Sequence, residues 1–298
     1  MKPATFEYHR PESEDDALAL LARFGGDAKP LAGGQSLVPA MNFRLARPAV
    51  LVDLNRIASL VYIEDKGETL RIGAMTRQRA VERSRVVAER APLLAESMPW
   101  IAHPQIRNRG TIGGSLAHAD PAAELPAVAV ALDGRLVVRN RTGVRRIPAI
   151  EFYTGLFTTA LAPDELLVAV ELAPRPAGSG SAFLEVSRRH GDFALAGVAV
   201  EVVLDSQGKC GAVRIALLSV GDGPVLATNA ANALVGRVPD EGTIESAARV
   251  ASETDIDPPG DIHASSAYRR HLARVLVRRA LVTAVARASL ASGPLRQP

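Results

Sequence analysis

A single cysteine, Cys210, in a chain of 298 residues excludes an internal disulfide, a CxxC zinc or thioredoxin-type pair, and a four-thiolate iron–sulfur site. Its ordinary reading is a structural thiol beside a hairpin in a reduced setting, so the expected location is cytoplasmic. Aromatic residues are scarce, at 4%. No stretch approaches the ~20 apolar residues of a membrane span, and Met1 to Tyr8 carries no apolar run with a cleavage site. Lys plus Arg number 35 against 32 Asp plus Glu, a net charge of +3, and that near balance leaves no nucleic-acid footprint. The histidines form no HExxH or other metal spacing and match neither a GxSxG elbow nor Cys210; no P-loop and no post-strand GxGxxG occurs.

What the chain does have is a hydrophobic content of 47%, enough for real cores, and a length that fits two or three domains. It also has two similar glycine-rich stretches, Ala32-Gly33-Gly34-Gln35-Ser36-Leu37 and Thr111-Ile112-Gly113-Gly114-Ser115. Glycine lets the backbone approach a ligand closely and adopt positive φ, so that successive N–H groups converge on a phosphate oxygen. Ser36 and Ser115 are placed to add hydroxyls and to open short helices. A lone Gly-Gly pair is usually a turn; two matched loops suggest two hands on one diphosphate.

The remaining pattern is α+β. Helices are expected at Glu14–Phe24, closed by Gly25-Gly26, after Thr76 as a cap, and from Val86 to Ser97. Strands are expected at Lys29–Ala32, Ala49–Leu54, Leu60–Glu64, Thr69–Gly73, Arg135–Asn140 and Leu166–Leu172. Between His103 and Pro126 periodicity is lost amid Gly, His, Asn, Asp and Pro, a composition that favours function. Pro174 to Gly180 reads as a linker. Beyond it come strands at Ala182–Arg188, Ala194–Leu204 and Gly211–Ser219, then helices to Ala288, the order of an α+β domain. A short low-complexity tail runs from Ser292 to Pro298.

The segment from Ile106 to Glu124 gathers a candidate nest, two arginines (Arg107 and Arg109), and two carboxylates downstream, Asp120 and Glu124. A carboxylate accepts two hydrogen bonds and so suits ribose or ribityl hydroxyls. Arg107 and Arg109 also read as solvent-facing charge, and Asp120-Pro121 also reads as a turn initiator.

Together with Asn108-Arg109-Gly110 and Gly191-Asp192-Phe193-Ala194, the two loops closely resemble the FAD-binding medium subunit of the molybdenum hydroxylases, the carbon monoxide dehydrogenase and xanthine dehydrogenase family. The resemblance runs from about Phe6 to Ala288. It implies a two-lobed FAD-binding domain of the vanillyl-alcohol-oxidase (PCMH) type, with lobes at 1–55 and 56–175. A C-terminal α+β domain of the carbon monoxide dehydrogenase flavoprotein type, at 178–290, would cover the flavin. It further implies that Ala32 to Ser36 and Thr111 to Ser115 wrap the FAD diphosphate, with Leu37 as a further candidate beside them. On the same grounds Glu124 falls where the family contacts the flavin's sugar-like chain, Leu167 at an apolar contact, and Phe193 where it shields the isoalloxazine ring, with Asp120 and Asp192 as further candidate cofactor-binding residues. Where eukaryotic xanthine dehydrogenases carry a lysine, this chain has Leu184 ahead of Arg188-Arg189.

The resemblance also accounts for the missing chemistry. A large subunit would hold the molybdenum cofactor, and a small subunit with 2Fe-2S clusters would supply the absent cysteines, in a dimer of heterotrimers. No catalytic or metal-binding residue is expected on this chain; FAD would collect electrons and pass them to an external acceptor. Two other readings stand beside this one: a stand-alone FAD-dependent oxidase or reductase, and a non-catalytic nucleotide-binding module.

Overall fold

The computed structural model describes residues 2–292, with part of the low-complexity tail, residues 293–298, outside the described residues. The fold is α+β and holds three principal sheets. The first opens with β1 (Glu7–His9). Helix α1 (Glu14–Phe24) follows, capped by the Ser13 hydroxyl, which accepts from the Asp16 amide at 3.1 Å. Three acids occupy its first turn, where the helix dipole favours them, and it buries Ala17, Leu18 and Leu21. Gly25, at φ +51°, ends it. Strand β2 (Ala28–Leu31) leads through the first glycine loop into α2 (Leu37–Asn42) and β3 (Val50–Asp53). The strand order is β1-β3-β2, all parallel, with Val50 flanked by Glu7 and Ala28.

The second sheet is antiparallel, with order β4-β5-β10-β6-β7. Its strands are β4 (Ile63–Asp65), β5 (Leu70–Gly73), β6 (Arg135–Arg139), β7 (Val144–Pro148) and β10 (Leu166–Leu172). Between β5 and β6 lie α3 (Gln78–Glu82), α4 (Arg85–Arg90), α5 (Pro92–Ser97), α6 (Pro104–Arg107), α7 (Ile112–His118) and α8 (Glu124–Ala131). Between β7 and β10 lie α9 (Ala149–Phe152) and a small ribbon, β8 (Tyr153–Gly155) with β9 (Thr158–Thr159). Every residue of α8 is buried, because it packs against α5 and α7 on one side and the third sheet on the other.

That third sheet is antiparallel: β11 (Ser179–Ser187), β12 (Ala194–Leu204), β13 (Cys210–Leu218) and β14 (Val225–Leu226). Helices α10 (Thr228–Asn232), α11 (Glu241–Val250) and the 27-residue α12 (Ser266–Ser292) complete it. α12 lies across β11 and β12. Gly180 permits this, since any Cβ there would strike the Ala284 carbonyl. Arg287 of α12 reaches Glu96 of α5 at 2.6 Å and the Ser181 carbonyl at 2.6 Å, tying α12 and the third sheet to α5. Cys210 is buried and its thiol is pushed up to about 11 by that burial and by Asp205, consistent with a structural role.

Several local expectations are corrected. The run from Val86 to Ser97 is two helices, because Pro92 has no N–H to continue the first and Ala91 leaves helical geometry at φ −139°. Thr76 is not a cap: its hydroxyl donates to the Tyr62 carbonyl at 2.9 Å, and the helix starts at Gln78. The segment from His103 to Pro126 is largely helical, its helices too short to register as periodicity.

Candidate functional site

The first glycine loop leaves β2 and turns at Gly34, the one loop glycine at left-handed φ, +73°. Gly33 is needed for a different reason: a Cβ there would lie 2.5 Å from the Arg109 carbonyl oxygen and 2.8 Å from the Gly110 Cα. The Gln35 carboxamide donates to the Gly33 carbonyl at 3.1 Å, holding the turn. Among the described residues, the amide N–H groups of Gly33, Gly34, Gln35 and Ser36 meet no acceptor.

The second loop is built the opposite way. Thr111, extended at φ −119°, caps α7 with its hydroxyl, which accepts from the Gly114 amide at 3.0 Å. Ile112 donates to the Thr76 carbonyl at 3.0 Å, Gly113 to that of Ala74 at 2.8 Å, and Ser115 to that of Thr111 at 3.2 Å. Thr111, rather than Ser115, therefore opens the helix. Its glycines serve close approach and not positive φ: a Cβ on Gly113 would strike Ala74, and one on Gly114 would lie 2.7 Å from the Thr111 Oγ1 and 3.3 Å from the Ala32 Cβ. With α2 at six residues and α7 at seven, helix dipoles contribute little here.

The two loops abut, Gly33 on Arg109-Gly110 and Gly114 on Ala32. Two side chains cross the seam. Asn55 donates through Nδ2 to the Ala32 carbonyl at 2.9 Å and accepts at Oδ1 from Arg77 Nη2 at 2.6 Å. The other guanidinium nitrogen of Arg77 donates to the Arg109 carbonyl. Asp53 anchors Asn55, accepting from its backbone amide at 2.9 Å and its carboxamide at 2.5 Å, and accepts the Tyr8 hydroxyl as well. Burial pushes the Asp53 carboxyl up, but those hydrogen bonds outweigh it and hold the group below the usual carboxylate range.

Of the two arginines, Arg107 is not solvent-facing. It is 5% exposed, paired with Glu82 at 3.0 and 3.2 Å, and donates to the Ile101 carbonyl at 2.8 Å, so it is committed to the fold. Arg109 is exposed. Asp120 realises its turn reading, with Oδ1 accepting from the Ala122 amide at 2.9 Å. Glu124, at the first position of α8, is 8% exposed. Burial, with help from the Asp120 charge, pushes its carboxyl up to about 7.

Sequence reasoning missed Glu185. It lies on β11, 6% exposed, with Oε2 unpartnered. Burial and then the neighbouring Glu124 push it up to about 8. The available signal was period-two alternation: Glu185 shares a strand face with Phe183, which sits in the core around the second sheet. Leu167 is buried on β10 in that same core. Asp192 pairs with Arg189 at 3.0 Å, while Phe193 is 73% exposed beside Gly191, whose φ of +88° lets it sit against the His103 ring. Among the described residues no cluster of His, Cys, Asp or Glu suits a metal, and no helix is long and apolar enough to cross a membrane.

Comparison with known proteins adds family context to this geometry. Residues 4–176 match the family model described as the FAD binding domain in molybdopterin dehydrogenase, and residues 181–284 match the carbon monoxide dehydrogenase flavoprotein C-terminal domain. The chain is 46% identical to the 6-hydroxypseudooxynicotine dehydrogenase complex subunit alpha of Paenarthrobacter nicotinovorans, over 97% of each chain. It is 41% identical to the carbon monoxide dehydrogenase medium chain of Afipia carboxidovorans, covering 97% of this chain and 99% of that one. Among solved structures, carbon monoxide dehydrogenase from Hydrogenophaga pseudoflava, lacking the Mo-pyranopterin moiety of the molybdenum cofactor, superimposes with a TM-score of 0.94 at 41% identity. That match covers 96% of this chain and 99% of the other.

Proposed function

This chain belongs to the FAD-binding medium subunits of the molybdenum hydroxylase family, and on that premise we propose that it holds FAD as the electron-transfer subunit of a molybdenum hydroxylase. The carrying observation is the seam between the two glycine loops, where four unpartnered amides stand on a backbone approach too close for any Cβ. Unpaired N–H groups of this kind suit diphosphate oxygens. The fit extends outward, because Glu124 offers a buried carboxyl where ribityl or ribose hydroxyls need an acceptor.

In this reading Gly33 to Leu37 grip the diphosphate, with Ala32 behind them. Thr111 to Ser115 form the opposing wall, contributing side-chain hydroxyls and packing surface, since the amides of Ile112, Gly113, Gly114 and Ser115 are engaged within the chain. Asp120, held in its turn, sets the approach to Glu124, and Leu167 closes the apolar side. Asp192 and Phe193, in the loop after β11, border the ring. Bound FAD supplies two-electron storage and one-electron exchange, while this chain positions it and controls access. We assign residues 1–55 and 56–175 as the lobes around the cofactor and 178–290 as the domain that covers it.

We further propose that a large molybdenum-cofactor subunit oxidises the substrate, that a small subunit carries electrons through 2Fe-2S clusters, and that the assembly is a cytoplasmic dimer of heterotrimers. The relatives support this, being named as a medium chain or as one subunit of a dehydrogenase complex. The test is co-purification of the tagged chain: a yellow preparation with two partner polypeptides is expected. A colourless chain overturns the flavin assignment, and a yellow chain that purifies alone with its own substrate oxidation overturns the subunit role.

A further inference from the structure

We infer that Asn55 and Arg77 act as positioning residues, forming one latch that sets the spacing of the two glycine loops and so the width of the diphosphate site. The inference rests on the flavin reading above.

Three features carry it. First, the latch is the side-chain hydrogen-bonded path across the seam: Ala32 carbonyl, Asn55 carboxamide, Arg77 guanidinium, Arg109 carbonyl. Both backbone ends belong to residues in contact with, or flanking, the glycines that abut. Second, the two acceptors, the Arg109 carbonyl and the Asn55 Oδ1, each take a separate terminal nitrogen of Arg77, so the bridge uses the planar fork of arginine, and a point charge does not reproduce it. Third, the latch is held from behind on both sides. Asp53 and Tyr8 fix Asn55 from the first sheet. On the other side, Arg77 pairs with Thr111 in an isolated antiparallel bridge, and the Gln78 amide donates to the Gly110 carbonyl at 2.9 Å. Each loop is thus referenced to its own scaffold, and the Asn55–Arg77 contact is where the two references meet. Neither side chain needs to touch the cofactor for this.

The test uses the full-length chain with Asn55→Ala, Arg77→Met, Arg77→Lys and the double variant Asn55→Ala/Arg77→Met. FAD affinity is measured by titrating flavin-free protein, and the thermal midpoint of that flavin-free protein is followed alongside. Each single variant is expected to lose about tenfold or more in FAD affinity while keeping its far-ultraviolet circular dichroism. The double variant is expected to lose no more than the worse single one, because either change opens the same latch. Arg77→Lys is expected to fail as a rescue. Wild-type affinity in Asn55→Ala, additive losses in the double variant, or full affinity in Arg77→Lys each overturn the latch. If the wild-type chain itself binds no FAD, the flavin reading falls; if it binds and the variants match it, only the latch does.

Discussion

Gly33 rests against the carbonyl oxygen of Arg109 so tightly that a side-chain carbon would sit 2.5 Å from it. The obstacle is backbone on both flanks, which cannot swing aside as a side chain would. Gly33→Ala is therefore expected to separate the loops, cost roughly 1–3 kcal/mol of stability, and abolish flavin retention. Gly114→Ala meets the movable Thr111 hydroxyl and the Ala32 methyl, so it should cost less stability yet still lose most of the flavin. Denaturant midpoints and flavin content per chain check both; full flavin in either folded variant would remove the diphosphate assignment.

Flavin is expected to be bound without a covalent link, since neither glycine loop contains a Cys or His to form one. Acid precipitation should release all the yellow colour into the supernatant. A yellow pellet would point to attachment, with His103 and His118 as the side chains to map first.

Glu124 and Glu185 have folded values of about 7 and about 8, raised from an ordinary 4.5. Across that interval the folded chain keeps protons that the unfolded chain has already released, so stability falls as pH rises toward 8 and levels off above it. Asp53, Glu82 and Glu165 are held below their ordinary values, and their stabilisation is lost below about pH 4.5. Flavin-free protein should therefore be most stable near pH 5. Its thermal midpoint should drop between about pH 5 and 8, and Glu185→Gln should reduce that drop by roughly 3 °C or more. Equal slopes for the two proteins would show that Glu185 is not the group titrating.

Stripping FAD from the assembled complex is expected to stop turnover with the external acceptor while substrate still reduces the molybdenum subunit. The isolated chain should hold FAD and oxidise no substrate of the complex. Rapid-mixing absorbance of the two redox centres separates these outcomes; substrate oxidation by the single chain at the complex's rate would refute the division of labour.

The parts of the fold written in local patterns were legible in the sequence. The stretch Glu14–Phe24 closed by Gly25-Gly26 marked α1, and the runs Ala194–Leu204 and Gly211–Ser219 marked β12 and β13, whose connecting turn is held by Asp205 accepting from the Gln207 and Lys209 amides at 2.8 and 2.9 Å. The glycine loops stood out for the same reason. What stayed hidden depends on contacts distant in sequence. Arg107 looked like surface charge because its partner, Glu82, is 25 positions away. Asn55 and Arg77 belong to no motif, and their meeting follows only from packing the first sheet against the second. Glu185 was passed over as one acid among apolar neighbours, although its place on the inward face of β11 put it beside Glu124.

The unequal hydrogen bonding of the two loops also bears on how a cofactor is taken up. On the Thr111–Ser115 side the Ile112, Gly113, Gly114 and Ser115 amides already have acceptors within the chain, so this side behaves as a fixed template. The Gly33–Ser36 side has four amides with no acceptor in the chain, and the new hydrogen bonds of complex formation fall on this short stretch. In such a site the wall shapes the space and the loop supplies the donors that hold the phosphate oxygens. The loop, rather than the wall, then governs how long the cofactor stays.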